Sequence, residues 1–161
     1  MPRRELRNGK QVTDWIEQLA ASLHEAGTIT LIGSAALLWH AHQRGINSQL
    51  PEASMDIDPV TDSDEIARFC YDCLIGSEFE KHHGWHVNLM PEIVLRELPT
   101  GWQSRAVNQQ QGKLTLVVPQ PEDLLVPKLR RKEPRDLQHY AWAKSIGLIS
   151  GEIQVEPTPK S

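Results

Sequence analysis

The sequence predicts an α+β protein with a mixed, partly antiparallel sheet and helices packed mainly on one side. Its 161 residues are enough for one hydrophobic core. Amphipathic helical patterns occur between short runs rich in β-branched residues. We expect one compact domain over residues 1–150. The polar, proline-containing stretch 151–161 is expected to be a partly mobile tail.

The first half of the chain reads as helix, strand, helix, strand, helix. The run "VTDWIEQLAASLHEAG" predicts an amphipathic helix that opens near Thr13 or Asp14 and ends at Gly27. "TITLIG" predicts a strand, and "SAALLWHAHQRG" a second helix capped by Ser34. "MDIDPV" predicts a second strand, stopped by Pro59, and "DSDEIARFCYDCL" a third helix.

The second half reads as strands followed by two closing helices. "WHVNLM" and "EIVLREL" alternate like strands, "LPTGWQSRAVNQQQG" is rich in turn residues, and "KLTLVVP" is a further strand. "PEDLLVPKL" and "EPRDLQHYAWAKSIGL" predict helices. Pro127 should kink or restart the first of these just before Lys128.

Composition excludes some functions. A net charge of -4 argues against a protein that coats nucleic acid through its overall charge. No apolar run approaches the roughly 20 residues that a membrane-spanning helix needs. We therefore expect no membrane association and a cytoplasmic protein.

A Cys-x-x-Cys pair, Cys70 and Cys73, precedes three histidines, so a zinc site has to be considered. The histidines are His82, His83 and His86. Both cysteines share a helical period with Ile66, Phe69 and Leu74. This periodicity favours small core residues over metal ligands.

The chemistry of the chain is concentrated in "DID", Asp56 to Asp58. Residues two apart in a strand point to the same face, so the two carboxylates project together while Ile57 points to the core. Their Cα atoms should lie about 7 Å apart, a span that one or two magnesium ions can bridge through carboxylate oxygens. A solvated strand end or a turn would also explain the pair.

Two other features suit a phosphate ligand. Gly33 and Ser34 lie at a turn from strand to helix, where free helix amides can hold phosphate, although Ser34 also suits a helix cap. A dense basic cluster suits a polyanion or, equally, a solvated helix end. It consists of Lys128, Arg130, Arg131, Lys132 and Arg135.

The order strand, Gly-Ser, helix, loop and then D-h-D on the next strand resembles the minimal nucleotidyltransferases of the polymerase-beta-like superfamily. The later stretches "LPTGWQSRAV", "VPQPEDLLVPKL" and "EPRDLQHYAWA" resemble the AbiEii-type bacterial branch, known mainly as toxin components of toxin and antitoxin pairs. The resemblance covers roughly residues 28–148.

The resemblance implies a site and a reaction. Gly33 and Ser34 would hold a nucleoside triphosphate, Asp56 and Asp58 would hold Mg²⁺, Lys128 would touch phosphate, and Asp136 would support the site. The nucleotidyl acceptor would be a tRNA or other RNA, a protein side chain or a small molecule, and a cognate antitoxin would be the protein partner.

The chain departs from the superfamily pattern at three positions. Asn88 stands where a third carboxylate often lies; it can ligate Mg²⁺ weakly but cannot act as a base. Glu52 replaces a residue that is often arginine, and Pro127 precedes the lysine.

These departures leave two other classes of function open. One is a nucleotide-binding module without turnover. The other is an interaction protein that uses exposed aromatic anchors, although core packing is the more common use of tryptophan. The tryptophans concerned are Trp39, Trp85, Trp102 and Trp142. Because His40, His42 and His139 have no partner evident in the sequence, we interpret them as surface or core residues and not as general bases.

Overall fold

The computed structural model describes residues 6–51 and 56–153. Its centre is a five-stranded mixed sheet with the strand order β3-β2-β1-β5-β4. The strands are β1 (Gly27–Ile32), β2 (Asp56–Thr61), β3 (His86–Val87), β4 (Val107–Gln111) and β5 (Leu114–Val118). β1 pairs antiparallel with β2 and parallel with β5, β2 pairs parallel with β3, and β4 pairs antiparallel with β5.

The helices precede, connect and follow these strands. They are α1 (Gly9–Ser22), α2 (Gly33–Gln43), α3 (Asp64–Tyr71), α4 (Glu78–His83), a 3₁₀ helix (Glu92–Glu97), α5 (Trp102–Arg105), α6 (Pro121–Arg131) and α7 (Pro134–Ser145). None of the helices in the described ranges is long and apolar enough to cross a membrane.

Burial alternates along the central strands. In β1, Ile29 and Leu31 are buried, whereas Thr28 is exposed and Thr30 is half-buried. β5 repeats the pattern with buried residues at Leu114, Leu116 and Val118. Burying one such side chain contributes roughly 1.5–3 kcal/mol, so the apolar face of the sheet determines where the helices pack. The predicted fold, a mixed sheet with helices mainly on one side, is confirmed.

The starts of the first two helices differ from the prediction. α1 begins at Gly9 because Asn8 caps it: the Asn8 side chain accepts from the Gln11 amide at 3.1 Å, and the Gln11 side chain accepts from the Asn8 amide at 3.2 Å. The predicted start near Thr13 or Asp14 is wrong. The prediction that Ser34 caps α2 is also wrong, since Ile32 is the capping residue and Ser34 lies inside the first turn.

Pro59 does not stop β2, which continues to Thr61. The N–H and C=O of one residue in a strand point toward the same neighbour. The Pro59 carbonyl accepts from the Met90 amide at 2.8 Å, so the donor that proline lacks would face the short β3 side. The ladder between β2 and β1, where Pro59 lies opposite Leu31, is therefore intact.

Three predictions for the second half need correction. "EIVLREL" forms the 3₁₀ helix over Glu92–Glu97, and not a strand. The turn-rich stretch contains α5 and the edge strand β4, whose polar sequence "VNQQQ" gave no strand signal. α6 runs continuously through Pro127, so the predicted restart of the helix just before Lys128 is wrong, and the predicted kink stays a prediction.

The cysteines and tryptophans are packing residues. Cys70 and Cys73 are buried, free thiols, as the helical period predicted. Burial, with a smaller contribution from Cys73, raises the pKa of the Cys70 thiol to about 12, which disfavours the thiolate that zinc binding needs. The four tryptophans considered as surface anchors are all buried. They do not form an exposed aromatic patch.

Candidate functional site

The structure brings Asp56 and Asp58 to the end of β1 from which α2 begins. Asp58 lies opposite Ile32, the last residue of β1. Ile57 between the two aspartates is fully buried, so both carboxylates share the other face of β2. The expected adjacency of the Gly-Ser turn and the "DID" strand is confirmed.

Gly33 makes this close approach feasible. Its φ of +73° is one that residues with a side chain rarely adopt, and a Cβ built on it would lie only 2.9 Å from Asp58 Oδ2. The turn at Gly33 therefore leaves no room for a side chain beside the Asp58 carboxylate. No side chain caps the start of α2, so the site combines uncapped helix amides with a pair of carboxylates.

Asp58 is under electrostatic strain. Burial first, and then the charge of Asp56, raise the pKa of Asp58 to about 7, while a hydrogen bond with Asn88 and the charge of Lys128 act in the opposite direction. Its buried Oδ1 has no hydrogen-bond partner among the described residues. A buried acceptor without a donor is costly, so this oxygen is suited to a cation.

β3 places a second pair of polar residues beside the aspartates. His86 is the register partner of Asp56, and the backbone N–H of Asn88 donates to the Ile57 carbonyl at 2.8 Å. His86 Nδ1 lies 2.8 Å from Glu80 Oε2, and its Nε2 lies 4.0 Å from Asp56 Oδ2. Asn88 therefore lies beside Asp58.

Sequence reasoning had considered His86 only in connection with zinc. The signal that it missed is the shared spacing of "HVN" and "DID", in which each outer pair of polar residues flanks a fully buried apolar residue, Val87 or Ile57.

Ser34, Lys128, Asp136 and His139 form a buried cluster behind the turn. Lys128 Nζ lies 3.1 Å from Ser34 Oγ, 3.2 Å from His139 Nδ1 and 3.5 Å from Asp136 Oδ1. Ser34 Oγ lies 3.1 Å from His139 Nδ1. The structure thus brings Ser34, Lys128 and Asp136 together, and it adds His139, which we had interpreted as a surface or core residue without a catalytic role.

The charge of Asp136 in this cluster is balanced by Lys128 and by the neighbouring Arg131. Burial would raise the pKa of Asp136, but a bidentate contact with Arg131, at 3.1 and 3.2 Å, and the charge of Lys128 hold it below its usual range. Burial lowers the pKa of Lys128, against the opposing charge of Asp136. Lys128 is only 4% exposed, so its charge is buried next to the Ser34 hydroxyl.

The predicted basic cluster divides between the interior and the surface. Lys128 is buried and Arg131 pairs with Asp136, whereas Arg130 is half-buried and donates to the Glu97 carbonyl at 2.8 Å. Lys132 and Arg135 are exposed.

A cavity of about 690 Å³ opens at the opposite end of β1, beside Gly27 and Thr28, and the predicted site residues do not line it.

The donor set fits Mg²⁺. Asp56 and Asp58 offer hard carboxylate oxygens, one of them buried without a donor. Within the described ranges, no three His, Cys, Asp or Glu side chains form a group that could hold a metal. The two carboxylates of Asp56 and Asp58 leave coordination positions for the water and phosphate oxygens that Mg²⁺ usually keeps.

The fold and the site together define a nucleotidyltransferase-like protein: a Gly-Ser turn beside paired aspartates on a mixed sheet. A family model described as "Nucleotidyltransferase of unknown function (DUF6036)" matches residues 10–153, and the chain belongs to this family. Comparison with curated proteins and with solved structures gave no match. Membership supports a nucleotidyltransferase and does not identify the AbiEii-type branch.

Proposed function

We propose that the protein is a magnesium-dependent nucleotidyltransferase that moves a nucleotidyl group from a nucleoside triphosphate to a hydroxyl. The observation that carries the proposal is the Asp58 carboxylate, whose buried Oδ1 has no hydrogen-bond partner among the described residues and whose Oδ2 lies beside Gly33 at the uncapped start of α2. A cation and a triphosphate would satisfy both features at once. The acceptor class, an RNA such as tRNA, a protein or a small molecule, is left to experiment.

Each site residue has a distinct task in this mechanism. Bound Mg²⁺, held by Asp56 and Asp58 with Asn88 as a weak further ligand, would neutralise the triphosphate and lower the pKa of the acceptor hydroxyl. The amides at the start of α2 and the Ser34 hydroxyl orient the phosphates. Lys128 offsets charge on the leaving pyrophosphate from its buried position, and Asp136 holds Lys128 in place.

The transfer itself is an in-line displacement. The acceptor oxygen forms a bond to the α-phosphorus as the bond from that phosphorus to the bridging oxygen breaks, and pyrophosphate leaves with the electron pair. The acceptor hydroxyl gives up its proton to solvent. Because the protein mainly positions the reactants, small displacements of the aspartates should cost much of the rate.

The test is label transfer from triphosphates labelled at the α-phosphate, with cell RNA, total protein or the enzyme itself as acceptor. We expect wild type to transfer label and the Asp56→Ala, Asp58→Ala double variant to lose at least about 100-fold in rate. A matched control is the Asp62→Ala, Asp64→Ala variant, which removes two exposed carboxylates of the same spacing. Equal transfer by wild type and by the site variant would refute the proposal.

A second candidate is a nucleotide-binding module without turnover, and the observation that favours it is Asn88. This neutral side chain lies beside Asp58 where a third carboxylate would act as base. Metal-dependent triphosphate binding without transfer to any acceptor would support this candidate. A toxin role with a cognate antitoxin stays a prediction from the AbiEii-type resemblance.

A further inference from the structure

We propose that His139 is a positioning residue that directs the Ser34 hydroxyl toward a phosphate of the bound triphosphate by holding Lys128. This inference rests on the proposed function and names a residue that neither the family match nor the resemblance assigns. The contacts of the buried cluster and its balance of hydrogen-bond donors and acceptors carry it.

His139 is 0% exposed and comes from α7, 105 residues after Ser34. Its Nδ1, the Ser34 oxygen and the Lys128 nitrogen form a triangle with sides of 3.1, 3.1 and 3.2 Å. All three distances are short enough for hydrogen bonds. The orientation of each hydrogen therefore depends on the other two groups.

The number of hydrogen-bond donors and acceptors around Lys128 determines which ring nitrogen of His139 carries the hydrogen. A lysine ammonium has three N–H donors and no acceptor, and the three nearby acceptors of Lys128 belong to Ser34, His139 and Asp136. His139 Nδ1 must therefore present its lone pair, which places the ring hydrogen on Nε2. A charged imidazole would instead set two cations 3.2 Å apart, with Arg131 nearby.

One donor is left over in this triangle. Nδ1 has a single lone pair, yet both the Lys128 nitrogen and the Ser34 oxygen lie within hydrogen-bond distance of it. When Lys128 occupies that lone pair, Ser34 accepts from Lys128 and its own hydrogen is released. Ser34 lies in the first turn of α2, so the released hydrogen can be donated to a phosphate oxygen at the uncapped helix start.

The experiment is a double-mutant cycle on the dissociation constant of a non-hydrolysable ATP analogue with Mg²⁺, measured by calorimetry. We expect Ser34→Ala and His139→Phe each to weaken binding about 5- to 10-fold, and the double variant to be no weaker than Ser34→Ala alone. His139→Asn should rescue most of the loss, because an Asn side-chain oxygen can take the place of Nδ1. His40→Phe, which removes another buried histidine, whose Nε2 lies 2.7 Å from the Pro119 carbonyl oxygen, should bind like wild type.

Several results would overturn the inference. One is wild-type affinity in His139→Phe; another is additive losses in the double variant, which would mean that His139 does not act through Ser34. If wild type binds no triphosphate, the proposed function fails together with this inference; if binding needs Asp58 but not His139, only this inference fails. Nitrogen NMR of wild type provides a second measurement that does not depend on the folding of the Phe variant. The ring signals of His139 are those that His139→Asn removes. We expect them to show a neutral ring protonated at Nε2, and protonation at Nδ1 would contradict the inference.

Discussion

At the scale of single residues, Asp58 combines the features that a metal ligand needs and a structural carboxylate avoids. Burial and the neighbouring Asp56 raise its pKa to about 7, so the metal-free folded protein holds a proton there below that pH. Lys128 and Asn88 oppose this shift without removing it. A divalent cation would replace the proton and supply the partner that Oδ1 lacks.

We predict that the contribution of Asp58 to the free energy of unfolding of the metal-free protein falls as pH rises from about 4 to about 7, whereas buried His40, whose pKa is lowered to about 4, acts in the opposite direction. In this range the folded state holds a proton on Asp58 that the unfolded state has lost, so a rise in pH favours unfolding. Asp58→Asn should remove this contribution and stabilise the protein at pH 8, relative to pH 5, by about 1–2 kcal/mol once solvent screening is allowed for.

The measurement is urea unfolding with EDTA at both pH values, on wild type, Asp58→Asn and the exposed control Asp62→Asn. The same stability difference between wild type and Asp58→Asn at pH 5 and pH 8 would show that Asp58 titrates normally.

The sequence pattern predicted those candidate site residues that a local motif can indicate. Strand alternation gave Asp56 and Asp58, and the glycine between strand and helix gave Gly33 with Ser34. It did not find His139, because the partners of that residue lie 11 and 105 residues away and on other helices. Periodicity predicts which face of a helix is buried, but it does not predict which polar groups of other helices contact that face.

At the scale of secondary structure, prediction succeeded for helices and strands with one strongly apolar face. It failed where strand pairing or helix capping determines the element or its ends. α3 begins with a Ser63 cap and an acidic first turn, both visible in the sequence. β4 is a polar edge strand that exists because β5 pairs with it. The alternation in "EIVLREL" resembled a strand, yet the segment follows Pro91 and closes into short 3₁₀ turns.

We predict that Gly33→Ala costs more stability than Gly45→Ala and abolishes metal-dependent nucleotide binding. The two glycines have nearly the same φ, +73° and +72°, so both variants carry the strain of a left-handed residue, roughly 1–2 kcal/mol. Only at Gly33 does the new methyl group meet a neighbour, Asp58 Oδ2 at 2.9 Å. Gly45 has nothing within 4 Å, which makes it a matched control.

Urea unfolding and calorimetry on both variants test this prediction. The Gly33 variant should lose about 1–2 kcal/mol more than the Gly45 variant, because Asp58 or the turn has to move. Equal losses in stability, with nucleotide binding retained in both variants, would mean that contact between the turn and Asp58 is unimportant.

At the scale of the whole molecule, the site is assembled from segments far apart in the chain. The turn between β1 and α2, the strands β2 and β3, and the helices α6 and α7 each contribute side chains or backbone. Within the described residues, no single element holds both a carboxylate of the pair and a member of the buried lysine cluster. Ligand binding should therefore stabilise the sheet and the closing helices together.

The last prediction follows from this assembly and concerns thermal unfolding. A ligand that binds only the folded state at 100 times its dissociation constant stabilises it by about 2.7 kcal/mol, which for a chain of this size raises Tm by roughly 5–10 °C. We expect wild type to show this shift with Mg²⁺ and a non-hydrolysable triphosphate together, and clearly less with either alone, because the phosphates complete the coordination that two carboxylates begin. Gly45→Ala should keep the shift, and the Asp56→Ala, Asp58→Ala variant should lose it. A full shift with nucleotide in EDTA, or in the double aspartate variant, would place the nucleotide away from the aspartate pair.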